Sequence, residues 1–225
     1  MIDLNNLAKK IGQSHQRDPF DHWVIDDFLP HQVATSLSKD FIPYSSPVWV
    51  EYNTSHQVKK ACSDWYHFPA SIYSTIAWLN SHQFVNFLSQ QFGISLSPDP
   101  GLHAGGCHIH GQGGQLGSHI DYQHHPKLQL QRAINLIIYL TESWQQHHGG
   151  HLGLYSQPNQ LVREILPKFN RAVMFRSDHR SWHGLCQPIQ VPNGMYRKSV
   201  AIYYLQQCEI GSWRNTSALF QSTDQ

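Results

Sequence analysis

The sequence contains little charge and little cysteine. Asp, Glu, Lys and Arg make up 14% of the 225 residues, and 16 basic against 15 acidic side chains give a net charge of +1. No strong field therefore attracts nucleic acid or an anionic membrane surface. The four cysteines form no CxxC pair, so neither a zinc knuckle nor a disulfide framework is indicated, and we expect reduced, packed thiols. These cysteines are Cys62, Cys107, Cys186 and Cys208.

Long apolar runs are also missing. Residues 1–18 lack the continuous apolar segment of a signal peptide, and no run approaches the eighteen or so apolar residues that a membrane span needs. We therefore expect a cytoplasmic protein without membrane contact. Nothing in the pattern indicates an oligomeric state.

Histidine is the residue type in excess, with 17 copies. The 40% hydrophobic and 12% aromatic content is ordinary for a globular protein and argues against disorder. The length fits one domain with elaborations. We therefore predict a single domain over residues 1–225.

Residues 1–100 are predicted to support the rest of the domain with helices and strands. Pro30 stands where proline often begins a helix, and the apolar residues that follow recur at helical spacing. Alternation of β-formers marks the strands. The pattern predicts strands over 22–28 and 47–52 and helices over 32–40, 71–79 and 82–92.

Residues 101–206 instead contain short β-rich runs separated by turn-forming residues, which is typical of a sandwich, barrel or jelly roll. Together with the helices, this predicts an α+β fold in which a helical layer backs a β core. Residues 207–225 are predicted to form a tail. The predicted strands cover 101–110, 117–121, 133–140, 151–155, 161–166, 171–176, 182–187 and 197–205.

Asp121 follows His119 by two residues, so in an extended strand both side chains point to the same face. Chance alone predicts about one His-x-Asp pair in a chain with this many histidines, and the pair carries little weight by itself. A glycine-rich approach over residues 113–118 and a third candidate ligand, His183, strengthen the signal. Two imidazoles and one carboxylate are the facial triad of non-haem Fe(II) oxygenases. Arg197 follows at the start of an apolar strand, where a guanidinium suits a carboxylate ligand.

This ordered set resembles the Fe(II)/2-oxoglutarate-dependent dioxygenase superfamily, in its prolyl-4-hydroxylase-like branch. The resemblance covers roughly residues 101–206. It includes the arginine-led strand over 132–140 that ends in Tyr-Leu, Trp144, the Gly-Gly-x-Leu pattern at 149–152 and the segment 170–175.

The resemblance implies a double-stranded β-helix (jelly-roll/cupin-like) core with the N-terminal helices packed on the larger sheet. It implies Fe(II), 2-oxoglutarate and O₂ as cofactors, with ascorbate as an optional stimulant. His119, Asp121 and His183 become the iron ligands and the catalytic centre. Arg197 becomes the partner of the far carboxylate of 2-oxoglutarate. The other cosubstrate-binding candidates are Tyr139, Ser199 and Asn135, the last because it lies on the same strand face as Tyr139.

Two roles are possible for each of three residues. Arg132 is either a strand-edge surface residue or a residue near the substrate entrance. His108 and His110 either face the substrate pocket or, in a cupin-type site, bind a different metal. His151 stands where the branch usually has Glu, and we expect its side chain outside the pocket. Other histidines are expected on the surface or in loops: His124, His125, His147, His148 and His179.

The implied activity is hydroxylation of a prolyl, peptidyl or amino-acid-like substrate with release of succinate and CO₂. Related halogenases lack the carboxylate ligand, so the presence of Asp121 favours hydroxylation. The expected partner is a small-molecule or peptide substrate and not nucleic acid. Two alternatives stay open: a cupin-type metalloenzyme that does not use 2-oxoglutarate, and a catalytically silent binding module of the same fold.

Overall fold

A computed structural model describes residues 2–209, 211–214 and 216–221. The helices in this part of the chain are α1 (Leu4–Ser14), α2 (His31–Lys39), α3 (Ala70–Leu79) and α4 (His82–Phe92), with 3-10 turns at Trp65–His67 and Gln146–His148. The strands are β1 (His15–Gln16), β2 (His22–Ile25), β3 (Val50–Asn53), β4 (Gln57–Cys62), β5 (Ser97–Pro98), β6 (Gly106–His110), β7 (Gln115–Leu116), β8 (His119–Ile120), β9 (Leu130–Tyr139), β10 (Leu152–Gln157), β11 (Gln160–Ile165), β12 (Ala172–Arg176), β13 (Trp182–Leu185), β14 (Arg197–Gln207) and β15 (Leu219–Phe220).

The strands form two antiparallel sheets. The larger sheet runs β1-β2-β12-β9-β14-β6-β4-β3, with β5 added beside β14 and β7 beside β4. The smaller sheet runs β11-β10-β13-β8-β15. The predicted α+β class is confirmed, and the two antiparallel sheets are consistent with a jelly-roll core.

The central strand β9 is buried on both of its faces. Ile134, Leu136 and Ile138 pack in one apolar cluster with residues of the helices. Tyr139, on the other face, packs in a second cluster with residues of β10, β11 and β12. Burial on both faces explains why this strand reads as a nearly continuous apolar run instead of an alternating one.

Helix α4 spans the predicted residues 82–92, and its ends are set by local chemistry. The Ser81 side chain accepts a hydrogen bond from the backbone N–H of Phe84 at 3.3 Å. Gly93 ends the helix with φ of 65°, a left-handed conformation that glycine adopts without steric cost. Phe84 is fully buried beside Tyr204 of β14, whose hydroxyl donates to the Leu79 carbonyl oxygen at 3.0 Å.

Helix α1 and strand β4 are not among the elements predicted from sequence. The Asp3 side chain caps α1 by accepting from two backbone N–H groups, and α1 buries Leu7 and Ile11. The prediction of a strand over 101–110 is wrong in its first half. Leu102 and Ala104 have φ of 47° and 58°, so the backbone turns there and the strand begins at Gly106.

Residues 207–225, predicted as a tail, contain β15, which pairs with β8 at the edge of the smaller sheet. Among the described residues, no helix combines the length and apolarity that crossing a membrane requires.

Candidate active site

Strand pairing brings the two candidate histidine ligands together. His119 on β8 lies directly opposite His183 on β13, so both side chains project from the same face of the smaller sheet, with ring centroids 4.3 Å apart. Asp121 follows β8 and completes the cluster. Its Oδ1 lies 3.5 Å from His119 Nε2, and its Oδ2 lies 3.6 Å from His183 Nε2. One ligand atom from each residue lies within 4.8 Å of the others. This spacing suits coordination of one ion by three groups.

Both histidines present the same nitrogen to the cluster. His119 Nδ1 donates to the Gly117 carbonyl oxygen and His183 Nδ1 donates to the Ser181 carbonyl oxygen, each at 2.9 Å. Because a carbonyl oxygen only accepts, each Nδ1 carries the proton and each Nε2 keeps its lone pair. Burial, together with the neighbouring imidazole, lowers the pKa of His183 to about 4, so this ring is neutral and able to bind metal at pH 7.

The Asp121 carboxylate is held by two side chains of β9. Arg132 Nη1 lies 2.7 Å from Oδ2, and the Asn135 side-chain amide donates to the same oxygen at 2.7 Å. Burial alone would raise the pKa of Asp121, but the adjacent guanidinium holds it well below its usual range. The carboxylate is therefore ionised and oriented before any metal binds.

A β-bulge lets Arg132 and Asn135 reach the same oxygen. Residues three apart on a regular strand point to opposite faces. Leu205 of β14 pairs with Arg132 while the preceding residue, Tyr204, pairs with Ile134, so β9 contains one extra residue at this point. The bulge turns Arg132 onto the inner face that Asn135 already occupies.

The Arg132 guanidinium is also fixed by aromatic rings. Its central carbon lies 3.7 Å from the ring centroid of Tyr122 and 3.5 Å from that of Tyr203, and the side chain is fully buried. Stacking on two rings satisfies the faces of a cation that its ion pair leaves uncovered. Of its two predicted positions, the strand-edge surface position is wrong.

A second cation, Arg197, lies in the same cavity. It is 4% exposed, and in the part of the chain that the structure describes no carboxylate lies within ion-pair distance of it. Its Nε and the Tyr139 hydroxyl are both buried without a hydrogen-bond partner among the described residues, and the guanidinium carbon lies 4.8 Å from the Tyr139 ring centroid. Burial lowers the pKa of Arg197 and raises that of Tyr139. A buried guanidinium and a free hydroxyl side by side fit an anionic ligand with two oxygens.

Strand register places the remaining candidates around Arg197. Ser199, two residues further along β14, lies opposite Tyr139 on β9 and opposite His108 on β6. His110 lies opposite Arg197 and is 2% exposed, and within the part of the chain that the structure describes neither of its ring nitrogens has a hydrogen-bond partner. Arg197, Ser199, His108 and His110 line a cavity of about 200 Å³ between the two sheets, and Tyr139 lies beside Ser199.

The other walls of this cavity come from segments outside the predicted catalytic strands. Lys59 on β4 and Tyr52 on β3 line one side. Phe220 on β15 closes the other side and stacks on His119 with ring centroids 5.0 Å apart. Sequence reasoning missed all three. The adjacent Lys59 and Lys60 hide the alternation of β4, and no motif marked Phe220. A larger, more open cleft of about 660 Å³ beside Tyr44 contains none of the metal-ligand candidates, so it does not compete as the site.

The family model of the 2OG-Fe(II) oxygenase superfamily matches residues 105–205, which contain the whole histidine and aspartate cluster and Arg197. A prolyl 3-hydroxylase of Mus musculus, OGFOD1, is 29% identical over 173 residues, which make up 74% of this chain and 29% of that protein. Residues 105–205 of the chain are therefore similar to the 2OG-Fe(II) oxygenase superfamily. The matched part of the chain spans less than a third of the length of this relative.

Two solved structures of prolyl hydroxylases share the fold of this chain. A prolyl hydroxylase of Trichoplax adhaerens in complex with a hypoxia-inducible-factor peptide fragment has a TM-score of 0.64, with 20% identity and 90% of each chain covered. A prolyl-4-hydroxylase of Pseudomonas putida has a TM-score of 0.66, with 17% identity, 90% of this chain and 100% of that chain covered. The matched family model implies Fe(II), 2-oxoglutarate and O₂ as cofactors.

The residues present fit these cofactors. Two imidazoles and a carboxylate on one face leave open positions on an octahedral Fe(II), and Arg197 with Tyr139 offers a site for a carboxylate. His108 and His110 line the cavity but belong to no cluster of three possible metal ligands among the described residues. The cupin-type alternative is therefore not favoured for this chain.

Three histidines outside the cavity, His125, His148 and His151, make structural contacts. His151 is buried outside the cavity, where its Nδ1 lies 2.5 Å from a Glu164 oxygen. His125 was predicted on the surface or in a loop, and it is buried: its Nδ1 accepts two backbone N–H groups, and its Nε2 lies 3.5 Å from an Asp99 oxygen. His148 is likewise buried, with Nδ1 accepting from a backbone N–H in a 3-10 turn, whereas His179 is exposed. None of these residues approaches the cluster.

Proposed function

We propose that the chain is a 2-oxoglutarate-dependent dioxygenase that hydroxylates a prolyl, peptidyl or amino-acid-like substrate. The observation that carries this proposal is one cavity that holds both a His-Asp-His cluster and a buried arginine for which the described residues provide no anionic partner. Iron, 2-oxoglutarate and O₂, when bound, supply the oxidation, and succinate and CO₂ leave. The prolyl assignment rests on the 29% identity to a prolyl 3-hydroxylase.

In this proposal His119, Asp121 and His183 hold the iron. The backbone carbonyls that accept from each Nδ1 keep both imidazoles in the metal-binding tautomer. Arg132 and Asn135 keep the Asp121 carboxylate ionised and pointed at the cluster.

The cosubstrate would be held by the opposite end of the cavity. Arg197 and the Tyr139 hydroxyl bind the far carboxylate of 2-oxoglutarate, and Ser199 assists. The buried, unpartnered Arg197 Nε and Tyr139 hydroxyl support this assignment. His108 and His110, on the neighbouring strand, face the same space and are assigned to substrate contact.

We also propose that residues 1–225 form a single domain whose catalytic core, 101–206, is a double-stranded β-helix. Residues 1–100 support it, with helices packed on the larger sheet, and residues 207–225 follow the core. The apolar cluster that joins the helices to β9 and β14 supports this arrangement. A cytoplasmic location remains a prediction from the sequence.

The first test is an anaerobic titration of Fe(II) and 2-oxoglutarate into the metal-free protein. We expect the weak visible charge-transfer band of a chelated keto acid. The band should vanish in Asp121→Ala and persist in the control His179→Ala, whose histidine is exposed. Bound metal without a band would refute the proposal in favour of a cupin-type enzyme or a silent module.

A second test addresses the cosubstrate site. Arg197→Lys should raise the KM for 2-oxoglutarate strongly, because an ammonium cannot reproduce a two-point guanidinium contact. Arg180→Lys, at an exposed arginine, is the matched control. An unchanged KM in Arg197→Lys would remove Arg197 from the cosubstrate site.

A further inference from the structure

Positive charge exceeds negative charge among the described residues that line the cavity. Lys59, Arg132 and Arg197 face a single carboxylate, Asp121. Arg132 is paired with Asp121 at 2.7 Å. Arg197 is assigned to 2-oxoglutarate by the proposed function. Lys59 is the remaining cation of the cavity, with no carboxylate partner among the described residues and no assigned contact with 2-oxoglutarate.

Strand alternation directs Lys59 into the cavity. On β4, Gln57, Lys59 and Ala61 line the cavity, whereas the intervening Lys60 points the other way and pairs with Glu51 at 2.7 Å. Among the described residues no carboxylate lies within ion-pair distance of the Lys59 ammonium. It is partly buried, which lowers its pKa to about 8 and leaves it mainly charged at pH 7.

Lys59 lies on the β3–β4 hairpin, which lines one side of the cavity. Tyr52 lies opposite Lys59 in the β3–β4 hairpin, and the Lys59 ammonium lies 5.4 Å from the Tyr52 ring centroid. The next residue of β4 on the same face, Ala61, pairs with His108 of β6, so the hairpin adjoins the part of the cavity assigned to substrate. A lysine on this wall faces the space between hairpin and cluster.

The cofactors do not remove the excess charge. Fe(II) adds two positive charges and 2-oxoglutarate adds two negative charges, so the cavity with both bound keeps the same positive excess. A partly desolvated cation without a partner is costly, and an anion brought by the substrate removes this cost.

We propose that Lys59 binds a carboxylate of the substrate, and that the oxygenase prefers prolyl or amino-acid substrates that carry a carboxylate near the reacting residue. This inference rests on the proposed function. The carboxylate has two sources, the free α-carboxylate of an amino acid or chain end and an acidic side chain beside the proline. Both offer the same group to the ammonium.

The test compares charged and neutral versions of each substrate. The first pair is N-acetylproline and N-acetylprolinamide, and the second is a blocked peptide with Asp or Asn beside proline. Binding to the protein loaded with Mn(II) and 2-oxoglutarate is measured by calorimetry, which needs no turnover, and hydroxylation is measured by product mass. We expect wild type to prefer one carboxylate form, and the pair that discriminates identifies the source.

Three variants assign the preference to Lys59. Lys59→Met should weaken binding of the carboxylate form about 10- to 100-fold, as expected for loss of a charged hydrogen bond, and leave the amide form unchanged. Lys59→Arg should retain the preference. Lys60→Met, on the opposite face of the same strand, should match wild type.

Several outcomes overturn the inference while leaving the proposed function intact. These are equal binding of acid and amide by wild type, equal losses for both in Lys59→Met, or no binding of either acid while the 2-oxoglutarate band forms normally. A higher 2-oxoglutarate KM in Lys59→Met would reassign Lys59 to the cosubstrate. Absence of the charge-transfer band in wild type would instead be a failure of the proposed function.

Discussion

Replacing Arg132 with Met should destabilise the metal-free protein more than the metal-loaded one. The guanidinium is fully buried and lies 2.7 Å from the Asp121 carboxylate, which is 13% exposed. Removing one partner of such a pair leaves a buried charge without compensation and costs roughly 3–5 kcal/mol. For a chain of this length each kcal/mol lowers the melting temperature by about 2–4 °C. The melting temperature of the metal-free variant should therefore fall by roughly 6–20 °C.

A divalent ion at the cluster should replace much of what the arginine supplied, because it gives Asp121 a new cationic partner. Thermal unfolding of Arg132→Met with and without Mn(II) measures this difference, and the ion should raise the melting temperature of the variant more than that of wild type. Asp121→Asn combined with Arg132→Met removes both charges and, without metal, should unfold at a higher temperature than Arg132→Met alone.

Equal losses with and without Mn(II) would refute this reasoning. They would mean that the guanidinium stabilises the fold through its packing between two tyrosine rings and not through the carboxylate. A double variant less stable than Arg132→Met would lead to the same conclusion.

Three further outcomes are expected. Tyr139→Phe should raise the KM for 2-oxoglutarate about 10-fold in steady-state assays, because it removes a hydroxyl proposed to contact the carboxylate of 2-oxoglutarate. Tyr204→Phe is the control and should leave this KM unchanged, because the Tyr204 hydroxyl donates to a helix carbonyl oxygen. Phe220→Ala should speed Co(II) loss in chelator-competition experiments by about 10-fold, because it removes the ring stacked on a ligand histidine, and Leu219→Ala, at an exposed side chain, should leave it unchanged. Burial, with a nearby lysine, lowers the pKa of His108 to about 3, so between about pH 6.5 and pH 3 the unfolded chain binds a proton that the folded protein does not. The free energy of unfolding should therefore rise with pH across this window by up to about 1.4 kcal/mol per pH unit for this group. In urea titrations His108→Gln should make the free energy of unfolding depend less steeply on pH. An equal pH dependence in wild type and variant would contradict a lowered pKa of His108.

Local signals predicted the elements whose boundaries are set by their own residues. Helix α4 begins and ends as predicted, because its Ser81 cap, its apolar spacing and Gly93 all act within the segment. The family resemblance implied one site for His119 and His183, and the structure brings these residues together because β8 pairs with β13.

What sequence could not show depends on contacts between distant segments. A strict alternation puts Arg132 and Asn135 on opposite faces, and only the bulge opposite Tyr204 and Leu205 brings both to Asp121. Strand β4 carries adjacent lysines that hide its alternation, because one faces a cavity and the other pairs with Glu51. Strand β15 is too short to give a pattern and exists because β8 offers it an open edge.

The position of β14 in the larger sheet has a consequence for how the protein is made. Residues 197–207 lie between β9 and β6, so the larger sheet lacks a central strand until this late segment has been synthesised. At ordinary translation speeds the ribosome needs roughly 5–20 s to proceed from the end of β6 to the end of β14. Throughout that interval the apolar faces of α3 and α4 lack the strand that covers them. We therefore expect the nascent chain to bind chaperones during this time and to become protease-resistant only after β14 has left the ribosome.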